Sequence, residues 1–202
     1  MANRQIVAVA SGKGGTGKTT IAANLAWTAS QQGRKVSYLD CDVEEPNGHI
    51  FLKPSIKASE DVAIEVPLVD QQLCTGCGKC GRLCQYSAIV CLGKGNVLTF
   101  DELCHSCGGC LNVCPAGAIK ARDYVIGRVD TGKAGSADFV QGYLKVGNVR
   151  TPHLIKKVKK NIGNEGLWIV DVPPGTSCAV VESLRNVDFC LLVTEPTAFG
   201  LN

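Results

Sequence analysis

Eight cysteines form two runs, Cys74, Cys77, Cys80, Cys84 and Cys104, Cys107, Cys110, Cys114, the second repeating the first at an offset of 30 residues. Each run reads C-x2-C-x2-C-x3-C, a spacing in which a tight loop presents three thiolates to one iron–sulfur cubane while the fourth reaches another. Two [4Fe–4S] clusters are the expected tenants. The repeat goes beyond the thiols, because Ser87-Ala88-Ile89 recurs as Gly117-Ala118-Ile119 at the same offset, which marks a duplicated fold. Zinc and disulfides are the competing uses. Structural zinc usually takes two C-x2-C pairs with a longer connection between them, so three thiols at this spacing serve it poorly. Disulfides need an oxidising compartment, and the start of the chain lacks the charged segment and apolar core of an export signal, so a cytoplasmic location is expected.

A second constellation is Gly12-Lys13-Gly14-Gly15-Thr16-Gly17-Lys18-Thr19-Thr20, preceded by the apolar run Ile6-Val7-Ala8-Val9-Ala10. A glycine-rich turn between strand and helix aims backbone N–H groups at phosphate oxygens, and the helix adds the positive end of its dipole. The motif assigns Lys18 to the β- and γ-phosphates of ATP or ADP and the Thr19 hydroxyl to Mg2+. In the helix that follows, Ile21, Leu25 and Ala29 share one face, and Gly33 stands where a C-terminal cap belongs.

These motifs carry two resemblances. The thiol runs resemble bacterial two-cluster ferredoxins, whose crossed ligation implies Cys74, Cys77, Cys80 and Cys114 on the first cluster and Cys104, Cys107, Cys110 and Cys84 on the second. Cys114 is followed by Pro115 as in that family, whereas Cys84 is followed by Gln85. The phosphate loop, with its extra Lys13, resembles the deviant Walker A of the MinD/ParA/Mrp and CobQ/CobB group of P-loop ATPases. That resemblance implies a homodimer in which Lys13 reaches phosphates bound by the partner copy; simple exposure beside a phosphate site is the alternative for this lysine. It also implies that Asp40, at the end of Val36-Ser37-Tyr38-Leu39, helps organise Mg2+, and that Asp42 orients the attacking water. A strand-ending turn before Pro46-Asn47-Gly48 is the plainer reading of those carboxylates. In Leu167-Trp168-Ile169-Val170-Asp171-Val172-Pro173-Pro174-Gly175 it implies an Mg2+ role for Asp171 and a backbone contact from Gly175 to the γ-phosphate.

The elements that must position these groups follow. The expected fold is α/β, a P-loop NTPase with a mostly parallel, doubly wound sheet interrupted by an α+β ferredoxin-type insert. The boundaries are 1–62 for the first ATPase part, 63–122 for the insert and 123–202 for the second part. Strands are expected over Tyr124–Val129 and Phe139–Val146. A helix should then bury Ile155, Val158 and Ile162, with Lys156, Lys157, Lys159 and Lys160 on its solvated face. The sequence ends at Val193 to Asn202, where relatives in this group would continue into further elements and base contacts. Their absence would weaken nucleotide affinity.

The remaining cysteines divide. Cys178 resembles a bridging ligand of the nitrogenase iron protein, which would let two copies share a metal, whereas Cys41, Cys91 and Cys190 read as buried strand residues. His49, His105 and His153 lack ligand spacing, although His105 lies beside Cys104. With 21 basic and 18 acidic residues the net charge is only +3, so no nucleic-acid partner is expected, and no apolar run is long enough to span a membrane. Function is expected to be ATP binding, with hydrolysis, coupled to electron transfer or to delivery of a metallocluster to an unidentified redox or client protein. The alternatives are an iron–sulfur carrier in which nucleotide is structural, and a scaffold for cluster assembly.

Overall fold

The computed structural model describes residues 4–197. In chain order the elements are β1 (Gln5–Ala10), α1 (Lys18–Gln31), β2 (Val36–Asp40), α2 (Gly48–Leu52), β3 (Ser55–Val69), α3 (Lys79–Leu83), β4 (Ile89–Gly93), β5 (Asn96–Thr99), α4 (Gly109–Val113), β6 (Ile119–Ala134), β7 (Ala137–Leu144), α5 (Thr151–Lys159), β8 (Leu167–Asp171), α6 (Cys178–Leu184) and β9 (Phe189–Leu192). They separate into two compact units, one of residues 4–62, 127–145 and 151–197 within the described range, the other of 63–126 with 146–150. The second unit therefore runs beyond residue 122 and takes in a short later segment.

The larger sheet has the order β3-β6-β7-β2-β8-β1-β9. β1 pairs parallel with β8 and β9, and β2 pairs parallel with β7 and β8, while β6 and β7 form an antiparallel hairpin. Parallel strands covered on both faces read as continuous apolar runs, and the five residues of β2 and of β8 are all buried. Helices lie on both faces. Phe139 of β7 packs in one core cluster with Ala22, Ala23, Ala26 and Ala29 of α1, whereas a side chain at Gly142, three residues on and on the opposite face, would strike Val158 of α5.

Helix α1 forms as expected, with its smallest side chains turned to the sheet. Ile21 and Leu25 are 40% and 37% exposed, and the face against the sheet is the alanine stripe. Small side chains let the helix axis approach the strands, which the bulkier stripe would prevent. Helix α5 buries Leu154, Ile155 and Val158 as expected, but it ends at Lys159, so Ile162 lies beyond it. Lys159 is not solvated: its ammonium donates to the carbonyls of Glu182, Ser183 and Arg185 at 3.0, 2.7 and 2.6 Å, capping the end of α6. Among the described residues no helix is long and apolar enough to cross a membrane.

In the second unit the sequence repeat is also a backbone repeat. Helices α3 and α4 start 30 residues apart, and positive φ recurs at Gly76 and Ser106, at Gly78 and Gly108, and at Ser87 and Gly117. Gly76 is fixed by crowding, since a Cβ there would lie 2.4 Å from the backbone N of Lys94. A core of Cys80, Ile89, Val97 and Ile119 binds the two halves.

Candidate functional site

The parallel strands explain how distant residues meet. Register places Val9 and Asp40 beside Asp171, so the carboxyl ends of β1, β2 and β8 open on one crevice, where ligands bind in sheets of this kind. A cavity of about 490 Å³ lies there, lined by Ser11, Lys13, Gly14, Gly15, Thr16, Gly17, Lys18, Thr19, Thr20, Asp42, Glu45, Asn47, Ile50, Phe51 and Pro174. Of the residues the sequence singled out, Gly12, Asp40, Asp171 and Gly175 are not on that wall.

Lys18 is buried, and its ammonium lies 2.9 Å from Asp171 Oδ1 and 3.5 Å from Thr19 Oγ1. The other oxygen of Asp171 accepts from the Tyr38 hydroxyl at 2.9 Å. Tyr38 is a contact the sequence reading missed, because within an apolar strand nothing local distinguishes it. Burial first, then the nearby carboxylates of Asp40 and Asp171, hold its phenol well above the ordinary range.

Asp40 sits behind the cavity, not on it. Its carboxylate accepts backbone N–H groups of Asp42 at 3.1 Å and Gly48 at 2.8 Å, so it ties the 42–48 loop to the end of β2. Gly48 admits no side chain, because a Cβ would lie 2.5 Å from the Tyr38 ring. Burial and then the Asp171 charge push Asp40 up to about 8, against the pull of the two amides. Asp42 lines the cavity, and burial pushes it up to about 6 while Lys18 opposes the rise. Gly175, at φ 91°, donates its N–H to the Ser11 carbonyl at 3.1 Å and thereby ties the turn after β8 to the phosphate loop.

The loop suits a phosphate. No atom lies within 4 Å of where a Cβ would stand on Gly12, Gly14, Gly15 or Gly17, and Gly15 and Gly17 have φ of 82° and 87°. The Thr16 hydroxyl is buried without a hydrogen-bond partner. A buried donor left unmade is costly, and an anion in the cradle would satisfy it.

All twelve cysteines are free thiols. Cys84, Cys104, Cys107 and Cys110 all line one cavity of about 110 Å³, together with Cys80. Cys74, Cys80 and Cys114 pack in the core of the same unit, while Cys77 is exposed. Among the described residues no three His, Cys, Asp or Glu side chains converge as on a single metal ion. A cubane asks for something else, thiolates spread around a wall so that each meets its own iron, and four of the five cysteines lining this cavity are those of the second set. The Ser106 N–H lies 3.4 Å from Cys104 Sγ. His105 stacks on Tyr86 with ring centroids 3.6 Å apart. Cys41 is buried and Cys91 packs beside the core, but Cys190 is exposed on β9, against the expectation; Cys178, at the start of α6, is exposed.

Comparison with known proteins bears on this geometry. An uncharacterized protein of Methanocaldococcus jannaschii is 33% identical over 208 residues, covering 100% of this chain and 73% of that protein. An iron-sulfur cluster carrier protein of Aquifex aeolicus is 59% identical over 44 residues, 22% of this chain and 12% of the carrier. The septum site-determining protein MinD of Pyrococcus horikoshii, solved with Mg-ADP, superposes with a TM-score of 0.51 at 19% identity over 98% of this chain. The chain spans 60% of that MinD's length, and the likeness shows the fold. Residues 7–172 match the CobQ/CobB/MinD/ParA nucleotide binding domain, and the chain belongs to that family.

Proposed function

We propose that the chain is an ATP-hydrolysing iron–sulfur protein, in which nucleotide held by the first unit governs electron transfer or cluster delivery by an inserted, ferredoxin-type second unit. The observation that carries the proposal is that one polypeptide holds two cavities of different chemistry. One is walled by the phosphate loop with Asp42, the other by Cys84, Cys104, Cys107 and Cys110.

The backbone N–H groups of 14–19 and the Lys18 ammonium would hold the β- and γ-phosphates. Once phosphate claims Lys18, the Asp171 carboxylate is released from its ion pair and, with the Thr19 hydroxyl 3.5 Å from Lys18 Nζ, is available to Mg2+. The metal would supply charge neutralisation in a reaction governed by positioning. Asp42, ionised above about pH 6, orients the attacking water. Asp40 acts through Asp42, by holding the loop that carries it. This departs from a metal role for Asp40.

A second copy of the chain suits the cavity rim, where Ile50 and Phe51 are 59% and 49% exposed, and Lys13 on the wall would serve the dimer. Cys178, exposed, would be available to share a metal with its counterpart. Cys74, Cys77, Cys80 and Cys114 would hold the first cluster and Cys104, Cys107, Cys110 and Cys84 the second, with the thiols kept reduced in the cytoplasm.

The test is anaerobic purification with iron and sulfide counts, steady-state ATPase assays and EPR with and without Mg-ATP. About eight irons per chain are expected, with ATP turnover abolished by Lys13→Ala and Asp42→Ala. Turnover no faster than in those variants would reject the hydrolytic reading. The similarity to an iron-sulfur cluster carrier favours one second reading, a carrier in which nucleotide is structural. It requires iron to move to an apo-acceptor without turnover.

A further inference from the structure

Arg150 plays no part in the phosphate chemistry, yet among the described residues it is the largest side chain that is fully enclosed, with 1% of its surface exposed. A guanidinium stays charged, and a buried charge without compensation is costly. The side chain lies in the second unit. Its Nε donates to the Cys104 carbonyl oxygen. Nη1 reaches Asn148 Oδ1 at 3.3 Å, and the residue's own backbone N–H meets that same oxygen at 3.1 Å. The guanidinium carbon lies 5.4 Å from the centroid of the Tyr124 ring.

Two things are missing from this environment. Nη2 is buried and has no hydrogen-bond partner, and among the described residues no carboxylate forms an ion pair with Arg150; nearby Asp101 pairs with Arg122 through Oδ2, and its Oδ1 is buried without a partner. Burial works against the charge, and the anionic forms of Cys104, Tyr124, Asp101 and Glu102 work for it, Cys104 first. A buried cation thus stands against the backbone of Cys104.

The other half of the repeat supplies a comparison. There Arg82 donates to the carbonyl of Cys77 at 3.1 Å, but Arg82 is exposed. The two sites use the same device, an arginine on a ligand carbonyl, one in water and one in the protein. Water and salt screen the first charge, whereas a charge at an effective dielectric constant of about 20 acts several times more strongly than in bulk water.

Resting on the reading of these thiols as ligands, we propose that Arg150 is a positioning residue for the centre held by Cys104, Cys107, Cys110 and Cys84. It fixes the Cys104 backbone, and its charge favours the reduced, more negative state of that centre, so the second cluster is the one that fills first when one electron enters. The electron comes from an external one-electron donor, in the assay dithionite, and no proton need move.

The experiment is an EPR-monitored redox titration of the anaerobic full chain. Wild type should show two one-electron waves. Arg150→Gln should lower the upper one so that, at fixed potential, its oxidised-to-reduced ratio rises about tenfold, or ~59 mV, while the lower wave stays in place. Arg82→Gln should move its wave less. If Arg150→Gln does not retain its iron, Arg150→Lys decides, because an ammonium keeps the charge without the fork. Its upper wave should stay within about threefold of wild type in that ratio, and a tenfold change would overturn charge as the cause. Two waves unmoved in an iron-replete Arg150→Gln would overturn the assignment of Arg150 alone. A wild type with no [4Fe–4S] signal would overturn the thiol reading and this one with it.

Discussion

Replacing Asp171 by Asn leaves the Lys18 ammonium, 7% exposed, without the carboxylate that lies 2.9 Å from it. Breaking a buried ion pair from one side costs about 3–5 kcal/mol. Two features bring this case to the low end. Lys18 lines an open cavity and can turn toward water, and the Asp171 charge is one of those that disfavour an ionised Asp40, so its removal relieves a neighbour. Asn also keeps an oxygen for the Tyr38 hydroxyl. A loss of about 3 kcal/mol, at about 2–4 °C per kcal/mol for a chain of this size, lowers the melting temperature by about 6–12 °C. Both tryptophans, Trp27 and Trp168, belong to the nucleotide-binding unit, so intrinsic fluorescence follows that unit alone. Ligands sharpen the test. Metal-free pyrophosphate should raise the melting temperature more in Asp171→Asn than in wild type, because Lys18 is already released. Mg-ATP should raise it less, because the metal has lost a ligand. A variant within about 1 kcal/mol of wild type, or one in which the two ligands keep their wild-type ranking, would refute the role given to Asp171.

Gly17→Ala places a side chain at φ 87° in the open space of the cradle; the backbone cost of about 1–2 kcal/mol is modest, but calorimetric affinity for Mg-ATP should fall at least about tenfold, and an unchanged affinity would count against the cradle. For Asp42, hydrolysis should rise with pH through about 6 and then level off, and Asp42→Asn should abolish that limb. Its folded value lies above the usual 3.8, so the folded state holds the proton more tightly and stability from this group falls as pH rises from 3.8 through about 6, a slope that Asp42→Asn should flatten in denaturant titrations. Thr151→Val removes the 2.6 Å hydrogen bond from Thr151 Oγ1 to Glu44 Oε1. It should blunt any change that Mg-ATP makes in the EPR spectrum while ATPase activity persists, and a full nucleotide response in this variant would refute the link.

The parts legible in the sequence are those whose chemistry is local. Phosphate binding by backbone amides requires glycines within one turn, so the loop from Gly12 to Thr19 announces itself, and the alternation of apolar runs with helical stretches gives the α/β sheet. The rest depends on what lies opposite in space. Ile21 and Leu25 obey helical spacing yet face outward, because the sheet surface under α1 accepts only alanines. Strand β3 hides behind Lys57, Glu60, Asp61 and Glu65, tolerable in a sheet-edge strand where one side chain in two or more meets water. Lys159 sits in a lysine-rich run indistinguishable from a solvated face until the end of α6 is placed beside it. Asp40 and Asp42 look equivalent in sequence, and only the amides of the loop assign one to the wall and the other behind it. Arg150 carries no local signal at all, since its partner Cys104 is 46 residues away.

If the two proposed chemistries are coupled, the covalent connection available is short. Glu44 belongs to the loop whose start, Asp42, faces the phosphate cradle, and it accepts a hydrogen bond from Thr151, the first residue of α5. Thr151 follows Arg150 by one peptide bond, and Arg150 grips the Cys104 carbonyl. A loop that rearranges when γ-phosphate is lost must either break the Glu44 contact or carry Thr151 with it. Breaking it strands Thr151, which is 7% exposed, and an unmade bond at a buried hydroxyl costs about 1–3 kcal/mol. That penalty is comparable to typical coupling energies between sites, about 1–3 kcal/mol. In the proposed function, movement of the loop with Thr151 is therefore a competitive outcome, and Arg150 is the next residue along the chain.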